Sequence, residues 1–248
     1  MKIALLGYGK MGMEIEKIAL SFGHEIVLKV NHNNLQDLNL ENLKKADVAI
    51  EFSTPATVIE NINFCFEAGV PIVVGTTAWH DKLEFVKKQC EEKKGGIFFT
   101  TNFSIGVNLF FELNKIAGGL MNGYADYTLF MAEVHHTQKL DAPSGTAITT
   151  AERLMETYTR MKSWNNKIVA EENTFKNNKS TENEFTIHSI RKDDVPGTHI
   201  VYFDSEVDTI EIKHTAKSRK GFAIGAVKAA EYMMGRKGVF GMKDLLGF

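Results

Sequence analysis

The chain has 248 residues, 44% of them hydrophobic and 24% charged, and a formal net charge of −2 at pH 7. These values are ordinary for a globular protein with a sizeable core, which at this length we expect to form two modest domains. The balanced charge argues against a nucleic-acid partner, and no apolar run reaches the ~18 residues of a membrane span. The N-terminus reads as a strand instead of a signal peptide, and Cys65 and Cys90 lie in helix-like segments. We therefore expect a cytoplasmic protein with reduced thiols.

The first motif is a glycine loop between a strand and a helix. Met1–Leu6 is mostly apolar, Met13–Phe22 has helical spacing, and the residues between them are Gly7, Tyr8, Gly9, Lys10, Met11 and Gly12. In such a GxGxxG loop the first glycine permits a tight turn, the second admits a pyrophosphate close to the backbone, and the third lets helix and strand pack. A second strand over Glu25–Val30 completes the unit. The pattern predicts a dinucleotide-binding site, with a glycine-rich turn of some other α/β domain as the alternative.

Strands and helices continue to alternate after this unit. The predicted strands are Asp47–Phe52, Pro71–Val74 and Ile97–Thr101, and the predicted helices are Pro55–Ala68 and His80–Lys94. Such alternation is typical of a parallel sheet with right-handed crossovers, in which ligands bind at the carboxyl ends of the strands. Two more loops lie at such ends and are candidate cofactor contacts: Gly75, Thr76 and Thr77 in one, and Thr100, Thr101, Asn102 and Phe103 in the other.

The second half of the chain favours a smaller sheet domain. A helix is expected over Val107–Leu120, with Ser104 as its cap, before four strand-like segments: Asp126–Val134, Phe185–Arg191, Thr198–Asp204 and Val207–His214. Their alternation favours a mixed or antiparallel sheet. The polar segment 171–184 reads as an exposed loop without chemistry that can be named. A last helix, over Gly221–Met234, could return to cover the first domain.

The most informative run lies between the two halves. Residues 133–147 read Glu-Val-His-His-Thr-Gln-Lys-Leu-Asp-Ala-Pro-Ser-Gly-Thr-Ala and join a strand to a helix predicted over Thr146–Met161, with Ser144 as its N-cap. Proton donors and positive charge come from three side chains: His135, His136 and Lys139. The backbone N–H groups expected at the helix N-terminus, where anions bind, belong to Ser144, Gly145 and Thr146. The run predicts a site for a small acidic substrate.

The two histidines of this run and Arg219 each allow a second interpretation. His135 and His136 could be metal ligands, but adjacent residues of a strand point to opposite faces, so the pair makes a poor chelate and we expect no metal. Arg219 precedes the last helix and could clamp a substrate carboxylate. A solvated basic turn is the alternative for Arg219.

The run over residues 135–146 closely resembles the signature of the 4-hydroxy-tetrahydrodipicolinate reductase family, long called dihydrodipicolinate reductases. The likeness extends over nearly the whole chain, because the glycine loop, the two threonine loops and His214–Arg219 occur in the order of the family. The resemblance implies an NAD(P)H-dependent oxidoreductase of the diaminopimelate route to lysine. Its reaction would reduce 4-hydroxy-tetrahydrodipicolinate, a small dicarboxylic substrate, to tetrahydrodipicolinate.

The resemblance also implies an architecture and a set of roles. The fold class is α/β, with a Rossmann-type parallel-sheet domain of residues 1–103 and 218–248. An inserted α+β substrate domain with a mixed sheet, residues 104–217, would assemble a homotetramer. His135 takes the place of the active-site histidine and Lys139 that of the proton donor. The positions matching substrate contacts are His136, Ser144, Gly145 and Thr146, and the three loops would bind NADPH or NADH.

The chain departs from the family pattern in three places. Many members have GxxGxxG where this chain has the shorter glycine loop, and the segment Arg191–Gly197 lacks a glycine usual in its early part. The acidic residue expected after the second strand, often followed by arginine, is replaced by Asn31 and His32. We therefore expect both NADPH and NADH to be used, with NADPH modestly preferred. The preference should be larger at low pH, where the His32 imidazole is charged.

Two rival functions make different demands on the sequence. An amino-acid semialdehyde or homoserine dehydrogenase with the same domain plan would need a nucleophilic cysteine or another catalytic pattern, whereas both cysteines here lie in helix bodies. A dinucleotide-binding redox sensor would need no His-His-x-x-Lys cluster and usually carries a separate output domain. Neither rival explains the run over residues 133–147.

Overall fold

A computed structural model describes residues 1–170 and 183–248. Its contacts divide the chain into two units, unit 1 being Met1–Ile105 with Lys220–Phe248 and unit 2 being Gly106–Arg219. The two domain boundaries predicted from the sequence, after residues 103 and 217, each lie two residues before the observed ones. The first boundary moves because Ile105 packs against a hydrophobic cluster of unit 1. Residues 171–182 of the predicted exposed loop lie outside the described residues.

The described residues form strands and helices in the following order. They are β1 (Lys2–Leu6), α1 (Lys10–Ser21), β2 (Glu25–Val30), α2 (Leu40–Leu43), β3 (Val48–Glu51), α3 (Val58–Ala68), β4 (Ile72–Val74), α4 (Leu83–Glu92), β5 (Gly96–Phe99), α5 (Ile105–Met121), β6 (Thr128–His135), α6 (Gly145–Met155), β7 (Ser163–Val169), β8 (Glu184–Arg191), β9 (Thr198–Asp204), β10 (Thr209–Thr215), α7 (Lys220–Met233), β11 (Gly238–Phe240) and α8 (Met242–Leu246).

Unit 1 is built on a parallel sheet with the strand order β2-β1-β3-β4-β5-β11. Its central strands are continuous apolar runs because helices cover both faces, and Ile3 to Leu6 of β1 are all buried. One face packs against α3 and α4, and the other packs against α1 and α7. The carboxyl ends of β1, β3, β4 and β5 therefore meet at one edge, where a ligand is expected.

The last part of the chain belongs to unit 1. Helix α7 lies so close to the loop after β5 that a Cβ built on Gly225 would come within 1.7 Å of the Phe103 carbonyl oxygen. Strand β11 then pairs with β5 and extends the sheet by one strand. The predicted return of the C-terminal helix to the first domain is therefore observed.

Unit 2 contains a mixed sheet with the strand order β10-β9-β6-β8-β7. Strand β6 is antiparallel to β9 and parallel to β8. Side chains alternate between its faces: Leu129 and Met131 join the core formed with α5 and α6, while Phe130 and Ala132 belong to a smaller cluster on the other face. The predicted α/β fold class, with a parallel sheet and a second mixed sheet, is confirmed.

Several element bounds differ from the predicted ones. The helix predicted over Thr146–Met161 ends at Met155, and beyond it the Thr157 hydroxyl donates to the Lys115 carbonyl oxygen of α5 at 2.5 Å. The helix predicted from Pro55 begins at Val58. Strand β7 was not predicted, since its polar sequence lacks a buried apolar pattern. The short elements β11 and α8 were also missed. No helix in residues 1–170 and 183–248 is long and apolar enough to cross a membrane.

Candidate active site

The glycine loop of unit 1 is shaped by two close backbone approaches. Gly7 has a φ of +97°, and a Cβ on it would lie 2.1 Å from the Phe52 carbonyl oxygen. A Cβ on Gly12 would lie 2.5 Å from the Gly7 oxygen, whereas one on Gly9 would meet nothing within 4 Å. Glycines 7 and 12 therefore permit the packing of strand and helix, and Gly9 leaves open space above the loop.

The start of α1 is available to an anion. Gly9 is the N-cap, no side chain of the described residues caps this end, and the first turn holds no acidic residue. Lys10 is exposed beside it, while Met11 packs into the core of unit 1. The Tyr8 hydroxyl is bonded to the Glu16 carboxylate, which also lies 2.6 Å from Lys29. These residues leave the N-terminal N–H groups of α1 to a pyrophosphate.

The loops after β3 and β4 are joined by hydrogen bonds. The Ser53 N–H donates to Thr76 Oγ1 at 2.8 Å and to the buried Glu51 carboxylate at 3.1 Å. The Trp79 indole donates to the Thr76 carbonyl oxygen at 2.8 Å, which fixes the second loop. Burial raises the pKa of Glu51, although hydrogen bonds from Ser53, Thr76 and Asn61 oppose the shift. Sequence reasoning missed the loop after β3, because the predicted strand ran to Phe52 and the predicted helix began soon after.

The remaining predicted cofactor residues lie nearby in unit 1. A Cβ on Gly75 would come within 2.2 Å of the Phe52 ring, so a larger residue here would require that ring to move. Asn102 Oδ1 accepts the Ser104 N–H at 2.9 Å, and Phe103 is buried with its ring 5.5 Å from that of Phe52. The other members of these loops range from half-buried to exposed: Thr77, Thr100 and Thr101.

A cavity of about 540 Å³ opens beside the glycine loop. Its lining includes the glycine loop, Asn31 and His32 after β2, the Ser53 loop, and Glu60 on α3. Asn31 Oδ1 accepts the Asn33 N–H at 2.8 Å, which leaves its amide N–H groups for a ligand. The open Gly9, the uncapped helix and this largely apolar cavity fit the adenosine and pyrophosphate of a dinucleotide.

Unit 2 contains a buried acid–base pair on the face of its sheet that carries α5 and α6. Glu133 and His135 are two residues apart on β6 and point to the same side. His135 Nδ1 lies 2.6 Å from Glu133 Oε2, and Arg191 Nη1 donates to Glu133 Oε1 at 3.1 Å. His135 Nε2 lies beside Gly197, where a Cβ would come within 3.0 Å of it. The glycine thus keeps space open next to this nitrogen.

The carboxylate of this pair is ionised. Burial alone would raise the pKa of Glu133, but contacts with His135 and Ser189 and the positive charges of His135 and Arg191 lower it to about 2. An ionised carboxylate 2.6 Å from Nδ1 helps to orient the imidazole. The arrangement suits His135 to proton transfer through Nε2.

A second buried histidine connects the pair to the start of α6. The His199 ring lies edge-on to that of His135 with 5.1 Å between centroids, and its Nε2 is 3.0 Å from Ser144 Oγ. Ser144 is the N-cap of α6, and its Oγ accepts the Ala147 N–H at 3.2 Å. Burial, together with the charge of His135, lowers the pKa of His199 to about 3, so its ring is neutral.

The other residues predicted to bind or protonate the substrate differ in their contacts and in their exposure. Lys139 Nζ donates to both carboxylate oxygens of Asp141, at 2.7 and 2.9 Å. Gly145 and Thr146 form the first turn of α6, and His136 is half-buried directly after β6. Arg219 is exposed and is the last residue of unit 2. None of the described hydrogen bonds or ion pairs joins it to these groups.

Three potential metal ligands also meet here. One ligand atom each of Glu133, His135 and His199 lies within 4.8 Å of the others, whereas His136 is not part of the group. Glu133 already contacts Arg191 and His135, so a metal ion would have to displace the imidazole from the carboxylate. We therefore interpret the group as a proton-handling cluster.

Sequence reasoning had not assigned roles to three members of this cluster, Glu133, Arg191 and His199. One signal was present, because Glu133 stands two positions before His135 in a predicted strand and must share its face. Arg191 and His199 carried no local signal. Arg191 reaches Glu133 across 58 residues of sequence.

The parallel sheet with its glycine loop, together with a separate acid–base cluster, defines an oxidoreductase that uses a nicotinamide cofactor. Comparison with known proteins identifies the family. Family models described as dihydrodipicolinate reductase, N-terminus, and dihydrodipicolinate reductase, C-terminus, match residues 1–103 and 106–246. The chain belongs to the dihydrodipicolinate reductase family, and the function predicted from the sequence is confirmed at this level.

Individual relatives agree with this assignment. A 4-hydroxy-tetrahydrodipicolinate reductase from Christiangramia forsetii is 44% identical over 99% of this chain and 98% of its own length. One from Thermosipho africanus is 32% identical with the same coverage of both chains. Among solved structures, a dipicolinate-bound dihydrodipicolinate reductase from a Paenisporosarcina species has a TM-score of 0.78, 26% identity and 98% coverage of both chains.

Proposed function

We propose that this chain catalyses the NAD(P)H-dependent reduction of 4-hydroxy-tetrahydrodipicolinate to tetrahydrodipicolinate. The observation that carries the proposal is the buried Glu133–His135 pair, which lies in the same unit as an ammonium donor, Lys139, and the N-terminus of α6. This combination suits a dianionic substrate that must be protonated during reduction.

Each residue has its own role in the proposed reaction. When bound, the nicotinamide supplies the hydride that reduces the unsaturated ring carbon. The N-terminus of α6, at Gly145 and Thr146, binds a substrate carboxylate. Lys139 stabilises the negative charge that develops on the conjugated nitrogen and donates a proton, and His135, held at Nδ1 by Glu133, polarises the substrate through Nε2. General acid catalysis by the same groups also assists loss of the substrate hydroxyl as water.

The environment of the two cysteines argues against the rival function of an amino-acid semialdehyde dehydrogenase, which would need a nucleophilic cysteine. Cys65 and Cys90 are both buried, and burial, with the nearby charge of Glu51, raises the pKa of the Cys65 thiol. Since the thiolate is the nucleophile, such cysteines are poorly suited to semialdehyde chemistry. The direct test follows NADH and NADPH oxidation with freshly generated 4-hydroxy-tetrahydrodipicolinate. No substrate-dependent oxidation of either nucleotide would refute the proposed function.

We expect pyridine-2,6-dicarboxylate to inhibit competitively against the substrate, because it presents two carboxylates to the start of α6. Thr146→Val keeps the side-chain shape but removes a hydroxyl donor, and should weaken inhibition by ~1 kcal/mol or more. Thr149→Val, the same change one turn further along α6, is the matched control. Inhibition constants measured against each substrate check this. Competition with the nucleotide alone would contradict the assigned pocket.

We expect NADPH and NADH both to be used, with NADPH modestly preferred, since Asn31 and His32 directly follow β2 in place of an acidic residue. Asn31→Asp keeps the oxygen that accepts the Asn33 N–H and adds a negative charge at the cavity. The ratio of kcat/KM values should shift toward NADH by ~1–2 kcal/mol through repulsion of the 2′-phosphate. Asn33→Asp adds the same charge at a position that does not line the cavity, and should shift the ratio less. Equal shifts, or none, would mean that another loop reads the ribose.

Three further expectations derive from the resemblance to the family. We expect a homotetramer assembled through the sheet of unit 2, a cytoplasmic location, and a substrate-carboxylate contact from Arg219. Sedimentation analysis tests the first of these. Arg219→Gln tests the last, and should raise KM for the substrate while leaving KM for the nucleotide unchanged.

A further inference from the structure

Arg191 connects the two parts of the unit 2 site that carry its proposed chemistry. Its guanidinium makes four hydrogen bonds, to Glu133 Oε1 at 3.1 Å and to the carbonyl oxygens of Lys139 at 3.3 Å, Asp141 at 2.7 Å and Ile190 at 2.8 Å. The side chain is largely buried, with 17% of its surface exposed. It therefore holds a carboxylate of β6 and the backbone of the following loop at once.

Apart from Arg191, few described contacts fix the part of the loop that carries Lys139. It joins β6 to α6, and within it the Lys139 N–H donates to the His136 carbonyl oxygen at 3.1 Å. Leu140 is 97% exposed, so it contributes no packing. The Lys139 side chain itself is paired with Asp141, another member of the loop. One further hydrogen bond leaves the loop, from the Thr137 hydroxyl to Asp193 Oδ1 at 2.5 Å. For residues 138–141, which include Lys139, the described hydrogen bonds other than those to Arg191 stay within the loop.

We propose that Arg191 is the positioning residue that fixes the Lys139 loop relative to the Glu133–His135 pair. It acts through those groups and does not itself touch the substrate. The planar guanidinium is required because its donors diverge to several acceptors at fixed angles, which a lysine ammonium does not reproduce. This inference rests on the proposed function for its kinetic consequences, whereas its structural consequence can be measured without substrate.

The kinetic test compares Arg191→Lys and Arg191→Gln with the unmodified protein. Both variants should lower kcat by ~10²-fold, the usual effect of displacing a catalytic group by about 1 Å, and should leave the nucleotide dissociation constant unchanged. Arg153→Gln is the matched control, because it removes an arginine that pairs with Glu156 near the far end of α6. The control variant should keep the kcat of the unmodified protein.

A double-mutant cycle separates positioning from general destabilisation. If Arg191 acts through Lys139, then Arg191→Lys should cost much less in a Lys139→Ala background than on its own. Additive losses would overturn the proposal. Full turnover in Arg191→Lys would also overturn it, since charge alone would then suffice.

Hydrogen exchange of the unliganded protein supplies a readout independent of activity. Amides of residues 137–142 should exchange faster in Arg191→Lys than in the unmodified protein or in Arg153→Gln, while those of β6 remain protected. Unchanged exchange over this loop would refute the positioning role even if turnover fell. If the unmodified protein failed to reduce the substrate but the loop exchange rose in the variant, the proposed function would fail and the positioning role would stand.

Discussion

Replacing Lys139 with alanine should lower kcat by ~10²–10⁴-fold, the usual contribution of a positioned general acid. The nucleotide dissociation constant should be unchanged, because Lys139 belongs to unit 2 and the glycine loop to unit 1. Steady-state kinetics with both substrates and fluorescence titration with the nucleotide measure the two quantities. Turnover equal to that of the unmodified protein would rule out the assigned role.

Two companion variants sharpen this result. Lys162→Ala removes an exposed lysine of the same unit away from the cluster and should keep full turnover. His135→Ala should lose kcat to a similar extent and should also bind the substrate less tightly, because the imidazole polarises it. Equal losses in Lys162→Ala and Lys139→Ala would point to a general charge effect.

Replacing Gly225 with alanine should destabilise unit 1 by about 3 kcal/mol or more. The new methyl group would lie 1.7 Å from the Phe103 carbonyl oxygen, so helix and loop must move apart. For a chain of this size each kcal/mol lowers Tm by about 2–4 °C, which thermal unfolding measures readily. Because Phe103 ends a predicted cofactor loop, KM for the nucleotide should also rise.

Gly221 offers the matched control within the same helix. A Cβ there would meet its nearest neighbour, Ser104 Oγ, at 3.6 Å, which is an ordinary contact. Gly221→Ala should therefore be neutral or stabilising by up to about 1 kcal/mol, since alanine favours a helix over glycine. Similar Tm losses in the two variants would contradict the close approach described for Gly225.

The sequence predicted those features whose signals are local. The apolar run Ile3–Leu6 indicated a buried parallel strand, and the glycine spacing after it indicated a dinucleotide loop. Ser144 was predicted as an N-cap from its position before an apolar helical pattern, and it caps α6. In each case the residues that carry the signal are neighbours in the chain, so their geometry follows from one element.

Features that depend on tertiary pairing were not predicted. Strand β7 has a polar sequence and lies at a sheet edge. Its conformation is determined by pairing with β8 and not by the intrinsic strand propensity of its residues. The bonds from Arg191 to Glu133 and to the Lys139 loop depend on β8 lying beside β6. No periodicity within either segment reveals that adjacency. The joined loops around Ser53 and Thr76 likewise required the strand order of the sheet.

The order in which the elements of unit 1 occur along the chain has a consequence for biosynthesis. Residues 1–105 leave the ribosome before unit 2, whereas α7, which covers one face of their sheet, and β11, which pairs with β5 at its edge, emerge after unit 2. Unit 2 is continuous in sequence and can fold while synthesis continues. The nascent N-terminal segment therefore exposes the apolar face later covered by α7 throughout the translation of unit 2, and this interval is when chaperone binding should be strongest.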